Sequence, residues 1–235
     1  MPGKASGKIM TMTVNVEDMV IGILGGTGDQ GRGLARRLAL AGHRVLIGSR
    51  SEERARVAAD ELSAEAGVAG EVDGMTNSDT ARNADVVIVA IPWEGHGELL
   101  SSLAAELSGK IVIDCVNPLA FDARGAYSLP VAEGSAAEQA AGLLPDSRVV
   151  AAFHHVSAKL LLDPEVAAID LDVLVLGDDR EATDVVQALA ARIPGMRGVY
   201  AGRLRNAGQV EALTANLVSI NRRYKAHAGL RVTDV

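Results

Sequence analysis

The sequence predicts an α/β fold of the Rossmann type: a doubly wound, mostly parallel sheet with a small C-terminal helical portion. Three observations predict it. Apolar runs of strand length alternate with helix-like stretches from residue 20 to about residue 200. The first of these runs passes directly into a glycine-rich loop that opens a helix. Near residues 201–205 the strand pattern stops, and one long amphipathic stretch follows.

Taken in order, the first strand is expected over 20–24 and a helix over 31–41, with Leu34, Leu38 and Ala41 on one face. A second strand is expected over 44–48, and 52–64, rich in Ala, Glu and Arg, reads as a helix. A short helix over 78–84 leads into the apolar strand 85–90, then a helix over 98–107 and a strand over 110–116. Residues 121–145 are looser, with an alanine-rich helix near 136–141. Strands at 148–153, 172–176 and 198–200, a helix at 181–193 and a final helix over 206–227 complete the pattern. Near-continuous apolar strands separated by helices imply a parallel sheet covered on both faces.

Composition excludes several classes. A formal net charge of -7 and the lack of a long basic run argue against binding nucleic acid or an anionic membrane. Two Phe, one Trp and three Tyr hardly supply a stacking platform for single strands. The single cysteine, Cys115, rules out an internal disulfide framework and a multi-cysteine metal site, and its apolar run marks it as a buried strand residue. No apolar run approaches the ~20 residues that span a bilayer. Residues 1–18 are polar, do not read as a secretory signal, and form an expected N-terminal extension; a cytoplasmic location follows by default.

Gly26, Gly28 and Gly31 make a G-x-G-x-x-G motif in the context that gives it meaning, after an apolar strand and at a helix start. Gly26 is expected to permit the tight turn, Gly28 to let backbone approach a pyrophosphate, and Gly31 to let helix and strand pack closely. Free N–H groups at the helix start would face the phosphates. About 20 residues on, where an NAD enzyme usually places an acid for the ribose hydroxyl, stand Ser49 and Arg50. A carboxylate would repel a 2′-phosphate, whereas a guanidinium pairs with it, so the cofactor is expected to be NADP(H). Arg54, one helical turn later, can converge on the same anion; the bland alternative is that both arginines are solvated and paired with Glu52, Glu53 or Asp60.

Other candidates cluster at strand ends. Ile91, Pro92 and Trp93 follow the strand 85–90 at the edge where ligands bind; Trp93 is either a pocket wall or a lid over the core. Val116 and Asn117 end the next strand, and Asn117 either bonds a nicotinamide or caps the turn before Pro118. His154 and His155 follow the strand 148–153 as the only histidine pair. Neither metal ligation nor a catalytic triad fits them: no further His or Cys lies at ligand spacing, and adjacent strand residues point to opposite sides.

The loop 24–28 with Gly31 and Gly33, then Gly48-Ser49-Arg50, then Ile91-Pro92-Trp93-Glu94, resembles the NADPH-dependent reductases of the deazaflavin coenzyme F420. The resemblance extends through 152–158, Gly177-Asp178-Asp179 and 204–221, nearly everything from Val20 onward. It implies direct hydride transfer between the nicotinamide C4 and the deazaflavin C5, in a homodimer whose partners are small-molecule cofactors. It further implies that Thr27, Gly28, Asp29 and Gln30 hold the pyrophosphate, and that Ser49, Arg50 and Arg54 hold the 2′-phosphate. Ile91, Val116, Asn117 and the loop from His154 to Ala158 would surround the stacked rings. On this resemblance 19–200 is the NADP-binding domain, and 201–235 contributes to the deazaflavin site and the dimer. Hydride transfer between two organic cofactors needs alignment more than an acid–base dyad, in keeping with the lack of one. Two alternatives are an NADP-dependent reductase of a small imine or 3-hydroxy acid, with Lys159 or Lys225 as its lysine, and a non-catalytic NADP(H) redox sensor.

Overall fold

The computed structural model describes residues 14–235. The chain runs β1 (Ile21–Leu24), α1 (Asp29–Leu40), β2 (Val45–Ser49), α2 (Glu52–Ser63), β3 (Val72–Thr76), α3 (Asn77–Asn83) and β4 (Val86–Val89). A 3-10 turn at Trp93–Gly95 leads to α4 (His96–Ser102), α5 (Ala104–Leu107) and β5 (Ile111–Asp114). Then come β6 (Leu119–Asp122), β7 (Gly125–Ser128), α6 (Ala136–Leu143), β8 (Arg148–Ala151), α7 (Ala158–Leu162), β9 (Leu171–Gly177), α8 (Arg180–Ala191), β10 (Met196–Gly202) and α9 (Ala207–Tyr224). Of the expected extension 1–18, residues 1–13 lie outside the described residues, while Val16 is buried in the core.

Eight strands form one sheet in the order β10-β9-β8-β5-β4-β1-β2-β3. The chain crosses from the β1–β2–β3 side to the β4–β5–β8 side at β1, so the glycine-rich loop sits at the topological switch point. Side chains alternate across the sheet. Ile21, Ile23, Val86, Ile88, Ile111 and Ile113 meet α1, α2, α7 and α8 on one face. Leu24, Val87, Val89 and Val112 meet α3–α6 and α9 on the other. Among the described residues no helix is long and apolar enough to cross a membrane.

The sheet is parallel except at one joint: β8 and β9 pair antiparallel, with Val150 opposite Gly177. A parallel return would need a crossover packed over β8. The only helix in this connection, α7, has five residues and packs on α1, so the chain re-enters the sheet running the other way.

Several elements escape the sequence pattern. β3 lies at the sheet edge with every residue partly exposed, so it lacks an apolar run. Gly74 within it lets α2 press directly onto the strand: a Cβ there would lie 2.2 Å from the Ala55 carbonyl. β6 and β7 form a hairpin in the stretch expected to be loose, its turn held by Asp122 Oδ1, which accepts from Arg124 N (2.7 Å) and Gly125 N (3.2 Å). The helix expected over 98–107 is split at Leu103, where the backbone leaves the helical region. The last helix ends at Tyr224 rather than near His227, because Lys225 turns left-handed at φ 52°. Val210 and Leu217 of this helix are buried by the chain itself, whereas Ile220 is exposed.

Candidate active site at the carboxyl edge of the sheet

The loop after β1 is shaped by close approaches. The left-handed turn falls on Gly25 (φ +71°), not on Gly26 as the motif suggests. A Cβ at Gly25 would lie 2.6 Å from the Ala90 carbonyl oxygen, so the loop rests on the chain leaving β4. Asn77 steadies it from below, Oδ1 accepting from Gly25 N at 3.3 Å. Gly31 has the expected packing role: a Cβ there would be 2.7 Å from the Gly25 oxygen. Gly28 faces open space apart from one ordinary contact at 3.5 Å, and it caps α1 without a side-chain hydrogen bond. The first N–H groups of α1, from Asp29 onward, therefore have no partner within the helix. This cradle, walled by backbone that a Cβ would fill, fits a pyrophosphate.

At the end of β2, Ser49 is buried and its Oγ accepts from Ser51 N (3.2 Å). Ser51 caps α2 by accepting from Arg54 N (3.4 Å), which brings Arg50 and Arg54 to one turn. Both side chains are exposed, and among the described residues neither makes an ion pair; Glu52 is taken by Arg56. The alternative in which the neighbouring acids neutralise these arginines does not hold in this geometry.

Beside the loop opens a cleft of about 350 Å³. It brings together Gly28, Asp29 and Gln30, the stretch Ala90, Ile91, Pro92 and Trp93, then Cys115, Val116 and Asn117, and finally His154. Trp93 is thus a wall of the cleft. His154 is placed by backbone strain: Phe153 is fully buried at φ 63°, a left-handed conformation uncommon for a bulky residue. Gln30 Nε2 donates to the Phe153 carbonyl (3.4 Å), tying the helix start to this turn. The His154 ring is buried with neither nitrogen hydrogen-bonded, although the backbone of Cys115 and Val116 lies alongside. Burial lowers its pKa to about 4, so the ring is neutral near pH 7. A buried neutral imidazole without a partner, beside a cleft, has hydrogen-bonding capacity that the protein itself does not use.

Three expected residues are placed differently. His155, the second residue of the turn that follows Phe153, points away from the cleft to the sheet, where its Nε2 accepts from Leu174 N (3.3 Å). It therefore has no access to a ligand in the cleft. Ala158 begins α7 and does not line the cleft; that helix seats Leu161 under Gly33, where a Cβ would meet it at 2.5 Å. Asn117 lines the cleft, but its Nδ2 donates to the His154 carbonyl (2.9 Å), a partner neither sequence alternative named. Thr214 of α9 completes this contact, its Oγ1 within reach of the same carbonyl (3.2 Å) and of Asn117 Oδ1 (3.3 Å). Cys115 donates to the Val89 carbonyl and is held protonated by burial, so it is not a nucleophile.

Behind the cleft lies a buried polar cluster that no sequence pattern announces. His96 Nε2 meets Asp114 Oδ2 at 2.6 Å, and its Nδ1 meets Gln139 Oε1 at 2.9 Å. Burial alone would lower its pKa, but the Asp114 carboxylate outweighs that and raises it. Asp114 Oδ1 accepts from Val116 N (2.9 Å), and the His96 ring lies 5.4 Å from that of Trp93. From α9, Glu211 reaches the start of α6, accepting from Ala136 N (2.9 Å) and Ala137 N (3.2 Å).

Residues 20–118 match the family described as NADP oxidoreductase, coenzyme F420-dependent. The chain is 39% identical to the F420-dependent NADP reductase of Methanothermobacter thermautotrophicus, over 94% of this chain and 98% of that one. It is 40% identical to the reductase of the same description from Methanocaldococcus jannaschii, over 92% and 99%. A solved Arthrobacter protein, provisionally assigned as an F420-dependent NADP reductase, superposes with a TM-score of 0.75 at 28% identity, covering 92% of this chain and 99% of that one.

Proposed function

Since the chain belongs to the family of F420-dependent NADP reductases, we propose that it passes hydride directly and reversibly between NADP(H) and the deazaflavin of coenzyme F420. The observation that carries this reading is the cleft itself: an open pyrophosphate cradle on one side and a buried, unpartnered His154 on the other. When bound together, the two cofactors supply the chemistry, a hydride donor carbon and a hydride acceptor carbon. The protein supplies their alignment.

In this reading Thr27 to Gln30 hold the pyrophosphate, the free N–H groups of Asp29 and Gln30 among the donors, while Ser49, Arg50 and Arg54 hold the 2′-phosphate. Ile91, Pro92 and Trp93 wall the ring site, opposite Val116 and Asn117. His154 donates to the ring system where negative charge develops. The NADP-binding unit is 19–200, and 201–235 supports the cleft from behind through Thr214, which meets the His154 carbonyl and Asn117. Neither Lys159 nor Lys225 lines the cleft, which disfavours an imine or 3-hydroxy acid reductase. Adding NADPH to enzyme and F420 should bleach the deazaflavin's visible absorbance; an unchanged spectrum would refute the assignment.

The reading includes a cytoplasmic homodimer. Val210 and Leu217 of α9 are buried within one chain, so the partner-facing surface lies at its exposed end. Ile220 and Tyr224 are exposed there, and so are Phe121 and Tyr127 on the adjoining hairpin. Sedimentation equilibrium at micromolar concentration should give twice the 24.4 kDa chain mass, and a single 24.4 kDa species would exclude the dimer.

A further inference from the structure

We propose that Glu211 is a positioning residue for hydride transfer, its carboxylate fastening α9 to the start of α6 so that Thr214 stays on the Asn117–His154 contact. The inference rests on the hydride-transfer reading above. Glu211 is 3% exposed and lies one helical turn before Thr214. Its two oxygens each take one backbone N–H, from Ala136 and Ala137. Thr214 in turn reaches the His154 carbonyl and Asn117, the two residues that close the far side of the cleft. A chain of direct contacts therefore runs from α6 through α9 to His154. His96 lies against Trp93, and Asp114 Oδ1 accepts from Val116 N across the cleft from it. Both walls of the cleft are held from one buried cluster.

The carboxylate accepts both N–H groups at full strength, whereas protonation leaves one oxygen a weaker acceptor that must also turn its O–H away from the donors. The charged groups around Glu211 are Asp114 from β5 and His96 from α4. The start of α6 presents backbone N–H groups, and its Glu138 is turned onto Ser135 Oγ (3.0 Å). Burial first, then the repulsion of Asp114, raises the Glu211 pKa to about 7 against the helix N–H groups and His96, which lower it. The fastened, ionised form thus predominates above pH 7 and is lost as pH falls through that value. His154 titrates far below, near 4, and is not the source of such a change.

Two readouts test this. The first is single-turnover hydride transfer from NADPH to F420. The wild-type rate should rise as pH rises through about 7. Glu211→Gln, isosteric but with one acceptor, should be flat at the acid-limb level, about ten- to a hundredfold below wild type at high pH, the scale of a misplaced reactant. NADPH affinity should not move. The second is the fluorescence of Trp93, the single tryptophan, in the ligand-free enzyme. Its pH titration should show a step at the same midpoint in wild type that Glu211→Gln loses, while the step from His96, whose ring lies 5.4 Å from Trp93, stays in that variant. His96→Gln removes the neighbouring positive charge and should move the midpoint up in both readouts, which keeps the test alive if the first variant does not fold. Transfer by wild type with an unchanged pH limb in Glu211→Gln, or an unmoved midpoint in His96→Gln, overturns the role of Glu211 alone. A wild type that passes no hydride to F420 overturns the functional reading instead.

Discussion

Arg50→Ala should weaken NADPH binding about ten- to more than a hundredfold and leave NADH binding nearly unchanged. The expectation comes from the end of β2, where Ser49 is anchored by Ser51 and the Arg50 and Arg54 side chains stand exposed without an ion-pair partner. An unpaired guanidinium beside a dinucleotide cradle has no internal bond to give up when a phosphate arrives. Removing one charge-assisted hydrogen bond should cost on the order of 1.5–3 kcal/mol, which corresponds to that range of affinity. NADH lacks the 2′-phosphate and should not register the change. Isothermal titration with both cofactors checks this, and equal weakening for the two would show that Arg50 does not read the 2′-phosphate.

His154→Ala should lower the single-turnover rate of hydride transfer to F420 about 10- to 1000-fold, the scale for removing one oriented donor. The imidazole is buried and neutral, and both nitrogens lack partners, so a ligand in the cleft gains a donor without any internal bond being broken. Only an interaction stronger in the transition state than in the ground state raises the rate. Charge accumulating on the accepting ring during transfer meets that condition. NADPH affinity should barely change, because the phosphate site lies elsewhere. His155→Ala should leave the ring chemistry intact, since His155 bonds Leu174 within the sheet and does not face the cleft. A wild-type rate in His154→Ala, with unchanged F420 affinity, would make that residue a structural feature of the loop.

The contrast between these two histidines shows where sequence stops being informative. That a histidine pair ends a strand is visible in sequence. Which one faces the cleft depends on the left-handed turn at Phe153 and on β9 arriving antiparallel, and neither has a local signature. The phosphate loop and the arginines after β2 are legible because a strand, its turn and the following helix are contiguous in the chain. Even there the turn falls on Gly25, because the chain leaving β4 presses on it from a distant part of the sequence. β3 is invisible for a related reason: an edge strand half exposed along its length needs no apolar run. The cluster of His96, Asp114 and Glu211 is scattered over α4, β5 and α9. No spacing rule joins those residues; only the packing of three elements does.

In the proposed reaction one hydrogen moves directly from one cofactor to the other within this cleft. NADPH carrying deuterium stereospecifically at the transferable C4 position, mixed with enzyme and F420 in ordinary water, tests it most directly. Deuterium should be recovered at C5 of the reduced deazaflavin, with a slowed single turnover. Reduced deazaflavin carrying hydrogen from solvent at C5, or deazaflavin left oxidised beside intact NADPH, would contradict it.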